Sequence, residues 1–263
     1  MSKLTSKLDR IFRTAAPPIG FRKSEQETDI PPMALIVDLT KSTAKKAKSI
    51  SAERIDAAII NSSSEDADHF KDISAAVGGL PLGLWISEES NTKEIEQLID
   101  LNWDFVIFNL QTPIELLSKQ DKGKILIVEP SVAPALIRVI NELNFQIDGI
   151  MVSNNNSAIT MKFLLTCQLF AEMLNKPLLV NTQLSLVPNE LSNLQACGVK
   201  GLLLPEGSSQ KFIAEVKKEI DLLPRTVKRK AGKGAVLPHL SFQTETSTEK
   251  VEEEEEEDDG EDI

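Results

Sequence analysis

The sequence specifies a closed α/β barrel of eight parallel strands, each followed by a helical segment: a compact (β/α)8 fold. Eight short apolar runs recur at nearly constant spacing between Ala34 and Pro205. Each run is continuous rather than alternating and rich in Val, Ile and Leu, which is how a strand covered on both faces reads; antiparallel strands with one wet face would alternate. Between the runs the apolar residues fall at helical spacing, so strand and helix alternate throughout. Eight is the number that closes a barrel, whereas an open doubly wound sheet commonly carries a glycine-rich turn after its first strand. Here the first run ends in Asp38, Leu39, Thr40 and Lys41, with no glycine.

Taken in chain order, the first element is a helix. Leu4, Leu8, Ile11 and Phe12 share one stripe, and Lys3, Lys7, Arg10 and Arg13 charge the remaining surface. Such a helix closes the N-terminal bottom of a barrel, packs on a neighbour, or lies on an anionic membrane through residues 3–13. Pro17, Pro18 and Gly20 end it, and a polar linker leads to Pro31 and Pro32. Residues 1–32 therefore form a basic helical extension with a Pro-rich linker, and residues 33–224 form the barrel. Its strands are predicted at residues 34–38, 57–61, 82–87, 104–109, 124–129, 148–153, 177–181 and 200–205. The helical segments show as Ile95, Leu98 and Ile99; Leu136, Ile137 and Ile140; Phe163, Leu164, Cys167 and Phe170; and Phe212, Val216 and Ile220. The weakest unit, between Thr112 and Gly123, has room only for a short helix around Ile114 to Ser118. Asn102, Asn144 and Gly198 precede three of the strands and suit the left-handed residue that ends a helix.

Residues 225–263 form a basic and then acidic tail with no expected fold. Arg225, Lys228, Arg229, Lys230 and Lys233 open it, and residues 252–263 hold ten acids and no base. Of the formal net charge of −11, the rest of the chain thus carries only about −1. The basic stretch has no interleaved aromatic residues for base stacking, so nucleic acid is not an expected partner. No apolar run reaches the roughly 18 residues of a membrane span, and no secretory signal opens the chain. Two cysteines, Cys167 and Cys197, sit among apolar neighbours as small hydrophobes, and cytoplasmic residence is expected. Nothing in the sequence sets the oligomeric state.

A barrel of this kind works at the C-terminal ends of its strands. The residues there are Asp38, Asn61, Ser87, Asn109 with Gln111, Glu129, Ser153, Asn181 and Glu206. His69 reads as a surface-helix residue and His239 as part of the tail; tyrosine is absent, and Lys124 and Lys200 start their strands on the opposite rim. Acid and base work therefore falls to Glu129 or Asp38, with Asn109, Asn181 and Ser153 binding the ligand. No cofactor and no metal are assigned.

The last unit carries a resemblance. The stretch Gly201 to Ser209 resembles the eighth strand and loop of the phosphate-binding TIM barrels, which implies an anion on the backbone of Gly207, Ser208 and Ser209 at a helix N-terminus. The likeness departs at strand seven, where those barrels have a glycine-containing loop and this chain has Asn181 to Leu184; Ser208 as a plain helix cap is the alternative. Trp103 to Leu110 also resembles the strand that carries acidic ligands in the metal-dependent aldolase barrels. Asn109 stands where that group has a carboxylate, which argues against a divalent metal. The expected function is binding of a small anionic or phosphorylated metabolite at the C-terminal rim, with lyase or isomerase chemistry. The alternative is a non-catalytic barrel acting as a scaffold through its charged termini.

Overall fold

The computed structural model describes residues 2–14, 30–62, 67–87, 95, 98, 101–118, 122–154, 158–182 and 186–225. The expectations for the Pro-rich linker and for the tail beyond Arg225 lie outside these residues. Eight parallel strands close into a barrel in chain order: β1 (Ala34–Asp38), β2 (Ala57–Asn61), β3 (Leu82–Trp85), β4 (Phe105–Phe108), β5 (Gly123–Val128), β6 (Gly149–Ser153), β7 (Leu178–Asn181) and β8 (Val199–Leu204). The last strand meets the first with Leu203 opposite Ile36, so no edge is left open. The helices are α1 (Lys3–Thr14), α2 (Ala44–Ser51), α3 (Ala67–Val77), α4 (Ile114–Ser118), α5 (Pro134–Val139), α6 (Met161–Met173), α7 (Pro188–Ala196) and α8 (Gln210–Leu222). Ile95 and Leu98, between β3 and β4, are helical and buried. No helix among the described residues is long and apolar enough to cross a membrane.

The two-residue period of the strands sorts every run into an outer and an inner set. Leu35, Val37, Leu84, Val106, Val152 and Leu202 face outward and pack with Ile73, Ile137, Phe163, Cys167, Leu194 and Ile213 of the surrounding helices. Ala34, Ile36, Ala57, Ile59, Phe105, Ile107, Ile125, Met151, Leu179 and Leu203 face inward. This double burial is why the runs are continuously apolar.

The inner set begins with small residues. Ala34, Ala57, Gly83, Gly123, Gly149 and Gly201 start the inward series of their strands, so the lower barrel would be hollow if left to the strands alone. Two fillers occupy it. The Phe105 ring lies over Gly83, where a Cβ would stand 2.3 Å from the ring. From below, α1 inserts Leu4, Leu8 and Ile11, which are 0%, 0% and 3% exposed and belong to the inner core. Each such side chain contributes about 1.5–3 kcal/mol when fully buried. The membrane alternative for residues 3–13 is thereby corrected: Leu4, Leu8 and Ile11 of the α1 stripe are spent inside the barrel, which leaves only the half-buried Phe12 of that stripe toward the outside.

Carboxylates lock the plug in place. Asp104, just before β4, accepts from Ser2 Oγ (2.7 Å), Lys3 N (2.7 Å) and Leu4 N (3.0 Å), capping α1 across about 100 residues of sequence. Asp56, before β2, takes an ion pair from Lys7 and a 2.7 Å bond from Leu35 N. Asp148, before β6, accepts from Lys124 N at 2.8 Å. These acids satisfy backbone donors at the N-terminal rim, the end associated with stability rather than chemistry. Of the three helix-to-strand junctions only Gly198 (φ 96°) is left-handed; Asn102 and Asn144 turn without positive φ.

Candidate active site at the barrel mouth

The inward series that starts in small residues and continues in Ile, Leu and Phe ends, at the top, in polar side chains. Period two carries Ala57 and Ile59 to Asn61, Phe105 and Ile107 to Asn109, Ile125 and Ile127 to Glu129, Met151 to Ser153, and Leu179 to Asn181. There they border a cavity of about 560 Å³ lined also by Trp85, Ser87, Gln111 and Ser131. Its floor is the apolar interior layer, and Ser153 and Asn181 are nearly buried, at 6% and 5% exposed. Ser153 and Asn181 stand side by side in register across β6 and β7.

Asn109, Glu129, Ser153 and Asn181 thus meet in one cavity. Glu129 is exposed at its edge, and its carbonyl accepts from Val132 N (3.1 Å) in a turn that leads into α5. The Asn109 side chain is partly committed to its own loop, because Oδ1 accepts from Gln111 N and Thr112 Oγ1, both at 3.0 Å. Behind Glu129 and Ser131 a side cavity of about 250 Å³ is lined by Thr160, Lys162, Phe163 and Thr166.

Asp38 does not line the cavity. It has inward parity, but its carboxylate folds back onto the turn after β1 and accepts from Thr40 N (2.8 Å) and from Thr40 Oγ1. Thr40 in turn accepts Asn61 N at 2.9 Å, so Asp38 braces the β1 turn against β2. Burial pushes the Asp38 carboxyl above its ordinary value; the Thr40 bonds pull against that, and the Glu206 carboxylate adds to it. His69 is half-buried rather than free on a surface. It reaches from α3 to the same turn, where its Nε2 lies 2.9 Å from the Thr40 carbonyl and so carries the proton.

The loop after β8 is self-contained. Gly207 is left-handed (φ 80°) with open space at its Cβ position. Ser208 donates both N (3.3 Å) and Oγ (2.7 Å) to the Pro205 carbonyl, and Ser209, not Ser208, is the N-cap of α8, accepting Phe212 N at 3.2 Å. Glu206 pairs with Lys41 (3.2 Å), so carboxylates as well as a cation stand beside this loop. None of the three loop residues lines the mouth cavity.

Asn61, Trp85, Ser87, Gln111 and Ser131 also line the cavity, beyond the strongest sequence candidates. Parity was the available signal for Asn61 and Ser87, which stand two residues beyond the inward Ile59 and Trp85. Gln111 follows Asn109 just past the strand end, where the sequence already placed it; Ser131 comes from a loop, which no strand period reports. Cys167 is buried on the barrel-facing side of α6, and burial pushes its thiol up to about 12, which removes it as a nucleophile. Among the described residues no three His, Cys, Asp or Glu side chains form a group able to hold a metal ion.

The chain is a TIM barrel. No family model matches the sequence, and no curated protein matches it. Its fold is similar to tryptophan synthase from M. tuberculosis, at TM-score 0.56 and 10% identity, covering 84% of this chain and 97% of that one. It is also similar to (S)-3-O-geranylgeranylglyceryl phosphate synthase from Thermoplasma acidophilum, in complex with its substrate sn-glycerol-1-phosphate (TM-score 0.56, 11% identity, 85% and 100% covered). A third neighbour is 3-dehydroquinate dehydratase from Geobacillus kaustophilus (TM-score 0.53, 11% identity, 71% and 91% covered). These neighbours are enzymes, and at such identities the likeness is one of fold.

Proposed function

We propose that the chain binds a small, uncharged, hydroxyl-bearing metabolite in the mouth of its barrel, with Glu129 as the group there that moves a proton. One observation carries this reading. Among the described residues the cavity is lined by the amides of Asn61, Asn109, Gln111 and Asn181, the hydroxyls of Ser87, Ser131 and Ser153, one indole and a single charged side chain, Glu129. Amides and hydroxyls both donate and accept, which matches a polyol or sugar, while a free anion would meet a carboxylate and no Lys or Arg among the described lining residues. As a carboxylate Glu129 takes a proton from a hydroxyl or a carbon acid, and as the acid it returns it, which is the core of an isomerase or lyase step. The two thiols, unpaired in the structure, support the cytoplasm as the place of work.

Thermal unfolding with xylitol and sorbitol tests the reading. A bound alditol raises the melting temperature by mass action, and Asn181→Leu abolishes the rise. No rise with either alditol would overturn it.

A second reading keeps the anion of the phosphate-binding resemblance. The left-handed Gly207 turns the chain into the N-terminus of α8, a 13-residue helix, and one structural neighbour holds a glycerol phosphate. It predicts a rise with inorganic phosphate that Gly207→Val removes, because a β-branched residue opposes positive φ. The scaffold alternative rests on termini that lie largely outside the described residues.

A further inference from the structure

Six of the ten large apolar side chains that the described residues expose lie on two neighbouring helices: Leu136, Val139 and Leu143 on α5 and the turn after it, and Met161, Leu165 and Leu169 on α6. The two helices are tied at their ends by Asn141, whose Nδ2 donates to the Met173 carbonyl (2.7 Å) and whose Oδ1 accepts from Asn175 N (3.0 Å). On α6, Phe163, Cys167 and Phe170 face the barrel. Met161, Leu165 and Leu169 follow one another at intervals of four on the opposite side, with Leu165, 60% exposed, at its apex. The outermost stripe of a barrel helix is ordinarily polar, and an apolar one marks a surface that is covered.

We infer that a second copy of this chain covers it, with the two α6 helices packed antiparallel about a two-fold axis level with Cys167. The charges on the face carry the argument. About that axis Leu165 of one copy meets Leu169 of the other, and Lys162 meets Glu172. Lys162 and Glu172 are exposed charged side chains on the rim of this stripe, and they stand equally far from Cys167 on either side. Gln168 Nε2 donates to Glu172 Oε1 at 3.1 Å and holds that carboxylate on the face. A two-fold interface must be complementary to itself, and opposite charges at equal distances from the axis are what makes one helix so. A partner of unrelated sequence would impose no such symmetry. Leu136, Val139 and Leu143 extend the apolar area beside the helix pair.

Sedimentation velocity of the full chain over a dilution series tests the inference. A monomer–dimer equilibrium is expected, and Leu165→Glu, which puts a charge at the centre of the face, leaves only monomer with the far-ultraviolet circular dichroism of the parent. Lys162→Glu alone and Glu172→Lys alone each set like charges at both contacts and weaken the dimer about tenfold. Mixing these two variants restores the affinity of the parent, because every contact in the heterodimer then joins opposite charges. Three results overturn the inference: a chain that is monomeric at every concentration, which would leave the face to its own tail or another partner; a dimer indifferent to Leu165→Glu; or a mixture no tighter than either variant alone.

Discussion

Two carboxylates that follow directly on apolar strands have different surroundings, and the difference sets what each variant should do. Glu129 is exposed at the edge of the cavity, so Glu129→Gln is expected to change stability by no more than about 0.5 kcal/mol. Calorimetry should then show the alditol-dependent rise in melting temperature reduced; a loss of several kcal/mol of stability would instead make Glu129 a structural acid. Asp38 is bent back on Thr40, and burial raises its pKa. The folded state therefore holds the Asp38 proton more tightly than the unfolded chain does. Its carboxyl contributes stability below the ordinary carboxylate pKa of about 3.9, and that stability is lost as pH rises through the raised value. Asp38→Asn keeps an acceptor for Thr40 N and removes this loss, so its melting temperature should gain on the parent across that window and hold a constant lead above it. A lead that does not vary with pH would place the effect elsewhere. Parity alone could not separate the two acids, because both have inward positions; the separation comes from Thr40, a turn contact two residues away with no signature of its own in the run of strands.

The strands were legible because parallel barrel strands are buried twice, and each of the eight lies within two residues of its apolar run. The short α4, Ile114–Ser118, was legible for the opposite reason: its unit has no room for anything longer. The destination of α1 was less so, since an amphipathic stripe reports only that it is buried, not against what. The small inward residues at the strand starts hold the missing information, and Gly123 is where it is sharpest. A Cβ there would stand 2.4 Å from Thr5 Cγ2 and 2.8 Å from Ser2 Cβ, so Gly123→Ala must lift α1 and is expected to cost about 1–3 kcal/mol. Thr5→Ala removes the closer of these atoms. In a double-mutant cycle by urea unfolding the pair should therefore be less destabilising than the sum of its parts, by at least about 0.5 kcal/mol. Strict additivity would mean that α1 does not seat on β5.

For the molecule as a whole, the question is how much of the chain the fold uses. All eight strands and the described helices lie between Lys3 and Leu222, and the described chain ends just past Pro224, whose carbonyl accepts from Gln195 Nε2 at 2.7 Å. Gln195 is buried, so that bond fastens the last residues of the barrel to α7. Residues Met1–Lys228 hold together as one compact unit. The stretch that follows is basic, then rich in Ser, Thr and Glu, and ends in ten acids within residues 252–263. Such a composition lacks the apolar area to offset the ordering entropy of about 1–2 kcal/mol per residue, so the barrel should owe it no stability. Limited proteolysis is thus expected to trim the chain to near residue 230, where Lys and Arg supply trypsin sites, and to stop there. The trimmed protein should melt within about a degree of the intact chain, since a segment that buries nothing moves the transition of a domain this size by little. Calorimetry before and after trimming decides it. A lower or broader transition in the product would show that residues beyond Lys228 pack against the barrel, and the domain limits drawn from the sequence would then have to move toward the C-terminus.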